Sequence, residues 1–325
     1  MPLTRRTRRA ARPKDPTTAA EGLLLVDKPA GVSSHDVVAV ARRALREKRI
    51  GHAGTLDPFA TGLLILLLGR ATRLMRYVHD EPKRYEAVIA FGAETDTEDP
   101  DGAIVREAAL PSRSALADAA RKFIGTFEQS PPAYSAKHVD GERSYDLARS
   151  GRAVALAPVT VTVHACTLDT FEETGGGVAR CRMRVSCAGG TYVRSLARDL
   201  ARAVESAAHL TALRRVSAGA FTVARAHALA AVQSGDVTVE PPLAALDGYP
   251  TVELTAEEIV KVTRGLDIAA RADGAQGAHV ALVDPLAADS SRVLVAFAEQ
   301  VTAAAGDRWQ PRVVMRDANP NTGEG

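Results

Sequence analysis

The chain has 325 residues, which is enough for one large domain and a smaller one. Its formal net charge is +2, so any nucleic-acid surface has to be a local patch. Aromatic residues make up 4% of the chain, and aliphatic residues with alanine are therefore expected to fill the core. Three scattered cysteines exclude a disulfide framework and a CxxC metal site. Reduced thiols in the cytoplasm are the expectation that follows.

The N-terminal third begins with a basic segment and then alternates buried strands with short helices. MPLTRRTRRAARPKDP predicts a disordered basic arm, which is either a solvated tail or a contact with phosphates. GLLLVDKP predicts a strand from Gly22 to Val26 that ends in a turn. Ser33 or Ser34 can cap a helix over VVAVARRAL. LLILLL predicts a buried strand, and ATRLMRYV predicts a short helix.

The middle of the chain is predicted to be richer in strands. KRYEAVIAFG alternates as a strand, and SRSALADAARKFIGTF has the spacing of an amphipathic helix. VTVTVHAC and VARCRMRVS are expected to pair across a turn at Gly175 to Gly177. The second of these strands carries a row of arginines that is either a solvated face or an edge following a phosphate backbone. GGTYVRSLARDL turns from strand into helix, with Arg198 and Arg202 expected in solvent.

A boundary is predicted between Val239 and Pro250, where EPPLAALDGYP breaks the pattern. Beyond it, the capping box TAEE and short strands around HVALVD, RVLVAFAEQ and PRVVMR indicate a compact β-rich unit. The expected division is a basic arm at 1–20, a catalytic domain at 21–245, a small RNA-binding domain at 250–318 and a disordered tail at 319–325.

Several familiar kinds of catalytic site are missing from the sequence. No GxGxxG, GxxxxGK[ST], GxSxG or HxE…CxxC pattern is present, which excludes most nucleotide-cofactor, serine-hydrolase and zinc-deaminase sites. The segment DTEDPDG is a poor calcium loop, because Pro100 stands where a ligand is needed and no closing glutamate follows. No metal site and no cofactor are therefore predicted.

The segment GHAGTLDP presents one acid, Asp57, between glycines and a proline. Because the residue before a proline favours an extended backbone, Asp57 is expected to be held in a fixed loop. A carboxylate can act as a nucleophile or a base, and an arginine such as Arg194 can keep it ionised. Tyr85 offers a flat ring on which a base can stack. These residues alone predict carboxylate chemistry on a polar substrate.

The sequence resembles the bacterial tRNA pseudouridine synthase B family. The resemblance covers about Gly22 to Phe221 and runs in family order through LLLVDKPAGVSSHDVV, RIGHAGTLDPFATGLLILLLGRATR, KRYEAVIAFGAETDTEDPDG, PPAYSAKHVDGERSYDLARSG, CAGGTYVRSLARDL and HLTALRRVSAGAF. GHAGTLDP and GGTYVRSL are together highly specific. The resemblance implies a mixed α/β (α+β) catalytic fold around a largely antiparallel sheet, and more weakly a small C-terminal PUA-like β-rich domain.

The resemblance also implies an activity. The enzyme would flip uridine 55 out of the T-loop of tRNA and isomerise it to pseudouridine, without a cofactor. Its partner would be tRNA, gripped at the T-loop and the acceptor stem, with no guide RNA. No apolar run approaches the roughly 18 residues of a membrane span, so no membrane partner is expected. The protein is expected to be a cytoplasmic monomer.

Seven positions carry over from the family. Asp57 matches the catalytic aspartate, which would attack the sugar C1′ or the base C6, or assist formation of a glycal. Arg194 matches the arginine that pairs with it, and Tyr85 matches the tyrosine that stacks on the target base. The substrate-binding positions are His52 beside the extruded base, Tyr192 and Leu213 in the pocket wall, and Lys28 near the cleft.

One short stretch departs from the family, and three other functions compete. Where the family reads Ser-Ala-Leu-Lys, this chain has Lys137 and His138 at the last two places, which leaves the role of that cation open. A tRNA-binding or tRNA-folding module could use the same surface without needing catalysis. A hydrolase of the sugar–base bond would release free uracil. A guide-RNA-dependent, dyskerin-like protein is disfavoured by the absence of long Lys/Glu tails.

Overall fold

The structure is a computed structural model that describes residues 20–133, 138–139, 142–143, 156–271, 278–285, 292–304 and 306–316. Most of the predicted basic arm and all of the predicted C-terminal tail lie outside these residues. So do Lys137 and the side chain of His138. Among the described helices, none is both long and apolar enough to cross a membrane.

The predicted helical segments that the structure describes are helical, and Val223–Arg225, Leu229–Ser234 and Pro242–Leu246 are further helices that the sequence analysis did not predict. The α-helices are α1 (Ser34–Leu45), α2 (Arg113–Lys122), α3 (Val193–Arg202), α4 (Leu229–Ser234) and α5 (Ala256–Thr263), and 3₁₀ helices cover Gly69–Tyr77, Val223–Arg225 and Pro242–Leu246. Ser33 caps α1 through a capping box with Asp36, and Thr255 caps α5 in the same way with Glu258.

The strands occur in two runs. The first run is β1 (Gly22–Lys28), β2 (Ile50–Ala53), β3 (Thr61–Leu68), β4 (Lys83–Phe91), β5 (Ala93–Thr95), β6 (Ile104–Glu107), β7 (Gly125–Gln129), β8 (His138–Val139), β9 (Glu142–Arg143) and β10 (Val159–Thr174). The second is β11 (Gly177–Cys187), β12 (Ala208–Ala218), β13 (Phe221–Thr222), β14 (His227–Ala228), β15 (Thr251–Glu253), β16 (Ile268–Ala269), β17 (His279–Asp284), β18 (Val293–Ala303) and β19 (Gly306–Val314).

Within the described residues, ten strands form a large mixed sheet. Its order is β14-β1-β3-β12-β4-β11-β10-β7, with β2 added to β3 and β13 added to β12. Only the β1–β14 and β3–β12 pairs are parallel, so the predicted mixed, largely antiparallel class is confirmed. The predicted hairpin is also confirmed, because β10 and β11 pair in antiparallel fashion from Val163↔Cys187 to Thr174↔Gly177.

The large sheet is stabilised by apolar clusters on both of its faces. The LLILLL run of β3 is fully buried because alternate side chains enter different clusters. On β4, Tyr85, Ala87, Ile89 and Phe91 all point into a third cluster, as their alternation predicts. This cluster also takes the apolar stripe of α3, which packs the helix against β12.

The structure bears on two predictions about arginines: the row on β11, and the exposure of Arg198 and Arg202. The arginine row on β11 is half-exposed, and its members pair with acids: Arg182 with Asp169, and Arg184 with both Asp169 and Glu86. These pairs favour the solvated-face interpretation. The expectation that Arg198 is exposed is wrong, because it is 7% exposed and pairs with a buried acid. Arg202, whose side chain is 54% exposed, fits the expectation.

A second sheet of five strands, in the order β15-β17-β18-β19-β16, forms the C-terminal part. This β-rich sheet is compatible with the predicted PUA-like domain. Its own core surrounds Trp309, which is 1% exposed and is the one tryptophan of the sequence. Phe297, Val313 and Leu294 of the same sheet instead join the apolar cluster under β1 and β3. The two sheets therefore share part of a core.

Candidate active site

Asp57 lies in the loop between β2 and β3, and the backbone on both sides of it is anchored. The Ser34 hydroxyl donates to the Leu56 carbonyl at 2.9 Å and accepts from the Leu56 N–H at 2.8 Å. On the other side, the Pro58 carbonyl accepts from the Gly31 N–H at 2.9 Å. The Asp57 side chain is 35% exposed. The loop thus holds an accessible carboxylate in one place, as the sequence predicts.

The glycines of this loop pack against Arg215 of β12. Gly62 has φ +102°, and a Cβ there would lie 2.3 Å from the Arg215 carbonyl oxygen. Gly54 has φ +74°, and a Cβ there would lie 3.1 Å from the Arg215 guanidinium. The close approach that the glycines predict therefore takes place inside the protein.

Arg194 lies in the first turn of α3 and binds Asp57 with two nitrogens. Its Nε lies 2.9 Å from Asp57 Oδ2, and its Nη2 donates to Asp57 Oδ1 at 3.1 Å. Its third nitrogen, Nη1, donates to the Thr97 carbonyl at 2.7 Å and lies 3.7 Å from Asp99 Oδ2. The Arg194 side chain is 4% exposed. This bidentate geometry fixes the guanidinium plane relative to the carboxylate.

Tyr85 lies on β4 beside this pair and is 8% exposed. Burial raises the pKa of its hydroxyl, and the adjacent Arg215 guanidinium opposes that shift. Arg215 itself is buried, and it donates to the Leu63 carbonyl at 2.7 Å and to the Gly54 carbonyl at 3.0 Å. Arg215 therefore links the Asp57 loop to the strand next to Tyr85.

Five of the seven predicted site residues line one open cavity of about 260 Å³. They are Asp57, Tyr85, Tyr192, Arg194 and Leu213. The backbone of Tyr192 is held by the buried Gln129 amide, which accepts from the Tyr192 N–H at 2.9 Å and donates to its carbonyl at 3.1 Å. The cavity combines an ionised pair with phenol rings and an aliphatic wall, which suits a single polar planar group.

The other two predicted residues lie outside the cavity lining. His52 on β2 is half-buried, and its Nδ1 has no hydrogen-bond partner among the described residues. Burial lowers the pKa of His52, and the positive charge of Arg215 adds to this.

Lys28, predicted near the cleft as a substrate contact, is fully buried. Its Nζ donates to the carbonyls of Pro29, Val32 and Pro58 at 3.0, 2.7 and 3.1 Å. Three carbonyls satisfy all three ammonium hydrogens, so Lys28 supports the loop that follows Asp57 and does not reach the cavity. Burial lowers its pKa to about 8, and Asp57 partly opposes that shift.

Sequence reasoning missed Lys83, Arg215 and the acids behind Arg194. Lys83 and Arg215 line the cavity, and Lys83 pairs with Asp80 at 3.1 Å. The paired cations in LRRVS, directly after Leu213, were the available signal for Arg215. The DTEDPDG turn, dismissed as a calcium loop, instead supplies Asp99 beside Arg194. Among the described residues, no group of three or more His, Cys, Asp or Glu side chains could hold a metal ion.

Comparison with known proteins gives a consistent set of similarities. Residues 42–193 match the family model described as TruB family pseudouridylate synthase (N terminal domain). The tRNA pseudouridine synthase B of Arthrobacter sp. (strain FB24) is 38% identical over 93% of this chain and 99% of the relative. That of Symbiobacterium thermophilum is 42% identical over 77% and 84%, and that of Gloeobacter violaceus is 47% identical over 66% and 74%.

Solved structures show the same fold at lower identity. A chain of an H/ACA RNP bound to a substrate RNA containing 2′-deoxyuridine is 21% identical, with a TM-score of 0.64 over 92% of this chain and 86% of that chain. A chain of the archaeal box H/ACA sRNP Nop10-Cbf5 complex is 20% identical, with a TM-score of 0.66 over 93% and 88%. At this identity the likeness establishes the fold.

Proposed function

The chain belongs to the TruB family of tRNA pseudouridine synthases and is an isomerase that acts on tRNA, and we propose that its target is uridine 55 of the T-loop. The observation that carries this proposal is the bidentate Asp57–Arg194 pair at an open cavity lined by Tyr85. A uridine stacked inside a folded loop hides its glycosidic bond. The enzyme therefore flips the nucleotide out before the reaction begins.

The cavity residues support this proposal because each meets a need of the flipped nucleotide. Unstacking a base costs a few kcal/mol, and a ring such as Tyr85 offsets that cost by stacking on it. Tyr192 and Leu213 close the wall of the cavity and exclude water from the base. Arg194 places a positive charge directly against Asp57 and so offsets the repulsion between this carboxylate and the RNA phosphates.

The proposed reaction conserves all atoms of the nucleotide. The N1–C1′ bond breaks, the C5–C1′ bond forms, a proton leaves C5, and a proton is taken up at N1. Asp57 assists the first step by attack on C1′, by attack on C6, or by helping to form a glycal. No electron acceptor and no energy source are required, in line with the cofactor-free expectation from the sequence.

We assign RNA contacts to both parts of the molecule. In this proposal, 21–245 carries catalysis and 250–318 grips the acceptor side of the tRNA. His52 approaches the loop from which the base is extruded. The enzyme acts as a monomer in the cytoplasm, where tRNA is modified, and it needs no guide RNA.

The direct test is release of tritium from tRNA transcript labelled at uridine C5. Replacement Asp57→Asn is expected to reduce release by roughly a thousandfold or more, because the amide is a poor nucleophile and base. Binding of the transcript should persist. Asp169→Asn is the matched control, since Asp169 also pairs with arginines but lies on β10 and does not line the cavity.

Four outcomes would count against the proposal. Tritium release by Asp57→Asn at the wild-type rate would remove Asp57 from the reaction. Equal release from a transcript that lacks the target uridine would refute the assigned position. Free uracil in the reaction would identify a hydrolase, and a requirement for added guide RNA would favour the dyskerin-like alternative.

A further inference from the structure

We infer that Glu98 is a positioning residue, which clamps the turn between β5 and β6 against α3 and thereby holds Arg194 against Asp57. This inference rests on the proposed function, because it assigns Glu98 a task in the same site. Glu98 has no place among the predicted site residues and does not line the cavity.

Glu98 is buried and held at both oxygens by α3. It is 7% exposed, Ser195 Oγ donates to its Oε2 at 2.8 Å, and Arg198 Nη1 donates to its Oε1. Its backbone has φ +61°, in the left-handed region that non-glycine residues rarely adopt. The Glu98 N–H donates to the Thr95 carbonyl, and its carbonyl accepts from Leu210, both at 3.1 Å.

The residues on either side of Glu98 are the ones that contact Arg194. The Thr97 carbonyl accepts from Arg194 Nη1 at 2.7 Å, and Asp99 Oδ2 lies 3.7 Å from the same nitrogen. The opposite edge of the guanidinium holds Asp57. Because Arg198 lies one helical turn after Arg194, the Glu98–Arg198 pair fixes the spacing between the turn and the helix at the point where Arg194 needs it.

The buried Glu98–Arg198 pair takes two charges out of water, which makes it a poor means of stabilising a fold. Burial raises the pKa of Glu98, and the Arg198 charge opposes that shift without cancelling it. A buried ion pair is often no more stabilising than apolar residues of the same size. The presence of this pair, together with a left-handed backbone at Glu98, is therefore better explained by the geometry it imposes on Arg194.

Glu94 of β5 provides a matched control, because it pairs with an arginine of the same helix. It is 3% exposed and pairs with Arg202 Nη2 at 2.6 Å, one further turn from the cavity. It also pairs with Arg106 at 2.7 Å. Glu94→Gln and Glu98→Gln thus each remove one buried carboxylate that pairs with an arginine of α3, at different distances from Arg194.

The experiment measures kcat and KM for tritium release, tRNA Kd and unfolding in urea for both variants. Glu98→Gln is expected to lower kcat about tenfold or more, with KM and Kd within about twofold of wild type, since a misplaced group costs rate and not binding. Glu94→Gln is expected to keep kcat within about twofold. Equal kcat values for the two variants would overturn the inference.

A double variant separates positioning from stability. Glu98→Gln leaves the buried Arg198 guanidinium with the partly exposed Asp199 as its remaining acidic partner. Removing that guanidinium as well, in Glu98→Gln with Arg198→Met, should therefore raise the urea concentration of unfolding relative to Glu98→Gln alone. Its kcat should stay low, because the clamp is still missing. Recovery of kcat together with stability would show that Glu98 acts only on stability and would overturn the inference. The proposed function fails separately, if Asp57→Asn remains active.

Discussion

The ten-stranded sheet and the five-stranded sheet place their charges differently. The part of the molecule built on the large sheet buries Glu47 and, around the Asp57 loop and α3, a set of further charged side chains: Lys28, Glu94, Glu98, Asp99, Arg194, Arg198 and Arg215. In the described part of the C-terminal sheet, Asp284 is the one buried acid. Ion pairs there are half-exposed, as for Arg312 and Glu299.

The buried charges mark the part of the molecule in which the fixed placement of charged side chains comes at a cost in folding stability. Taking a charge out of water costs several kcal/mol, and apolar residues would fill the same space at lower cost. The large sheet carries that cost at the places where Asp57, Tyr85 and Arg194 meet. The C-terminal sheet leaves its charges in solvent, where they can meet a polyanion without prior desolvation.

After Asp57→Asn, the largest effect is expected from Arg194→Lys. An ammonium cannot reproduce the two bonds to Asp57 and the bond to Thr97, because it lacks the planar fork of the guanidinium. We expect kcat for tritium release to fall by about 100- to 1000-fold, with tRNA binding retained. Arg184→Lys, on the half-exposed outer row, is the control and should stay near wild type. Similar losses of kcat in both variants would show that the buried and the exposed arginine matter equally for the reaction, which would contradict this prediction.

The second effect concerns Lys28 and pH. The pKa of Lys28 falls from 10.5 to about 8 on folding, so the unfolded chain binds more protons between these values. Its contribution to stability is therefore present above about pH 10.5 and lost as pH falls through about 8. Between these limits the difference in unfolding free energy between wild type and Lys28→Met should change by about 3 kcal/mol. A difference that does not vary with pH would contradict the buried ammonium.

A third, smaller effect tests the proposed grip of the C-terminal part on tRNA. Deletion is unsuitable, because Phe297 and Val313 belong to the core shared with β1 and β3. Lys261 and Arg264 are exposed on and just after α5, without an acidic partner among the described residues. Their double replacement by alanine should weaken tRNA binding about tenfold and lower the salt dependence by about two ions, with kcat unchanged. Unaltered affinity and salt dependence would remove α5 from the RNA surface.

The smallest effect is expected from Arg312→Ala. Its pair with Glu299 is half-exposed on both sides, and such pairs contribute about 0–1 kcal/mol. Urea unfolding should therefore shift by about 1 kcal/mol or less, and activity should stay unchanged. A loss comparable with that of Glu98→Gln would mean that the C-terminal sheet depends on its charges as much as the large sheet does.

The elements that the sequence predicts well are those with local causes. Ser33 and Thr255 cap helices through residues three places away, and the alternation of β10 and β11 defines their hairpin. The Asp57 loop was predictable for the same reason, since its glycines permit positive φ angles and its proline restricts the residue before it.

Other features depend on residues that meet only in the fold. The burial of Lys28 requires carbonyls from Val32 and Pro58, and nothing in DKP reveals them. Arg198 reads as a solvated helix position because its partner, Glu98, lies 100 residues earlier in the chain. Arg215 has the same difficulty, since its acceptors belong to Gly54 and Leu63.

The position of Trp309 has a practical consequence for following the two sheets separately. It is the single indole in the chain and lies in the core of the C-terminal sheet, with no partner for its Nε1 among the described residues. Intrinsic fluorescence excited at the indole band therefore reports on that sheet, whereas far-ultraviolet dichroism is dominated by the larger one. Because Phe297 and Val313 tie the two sheets together, the two signals should change at the same urea concentration.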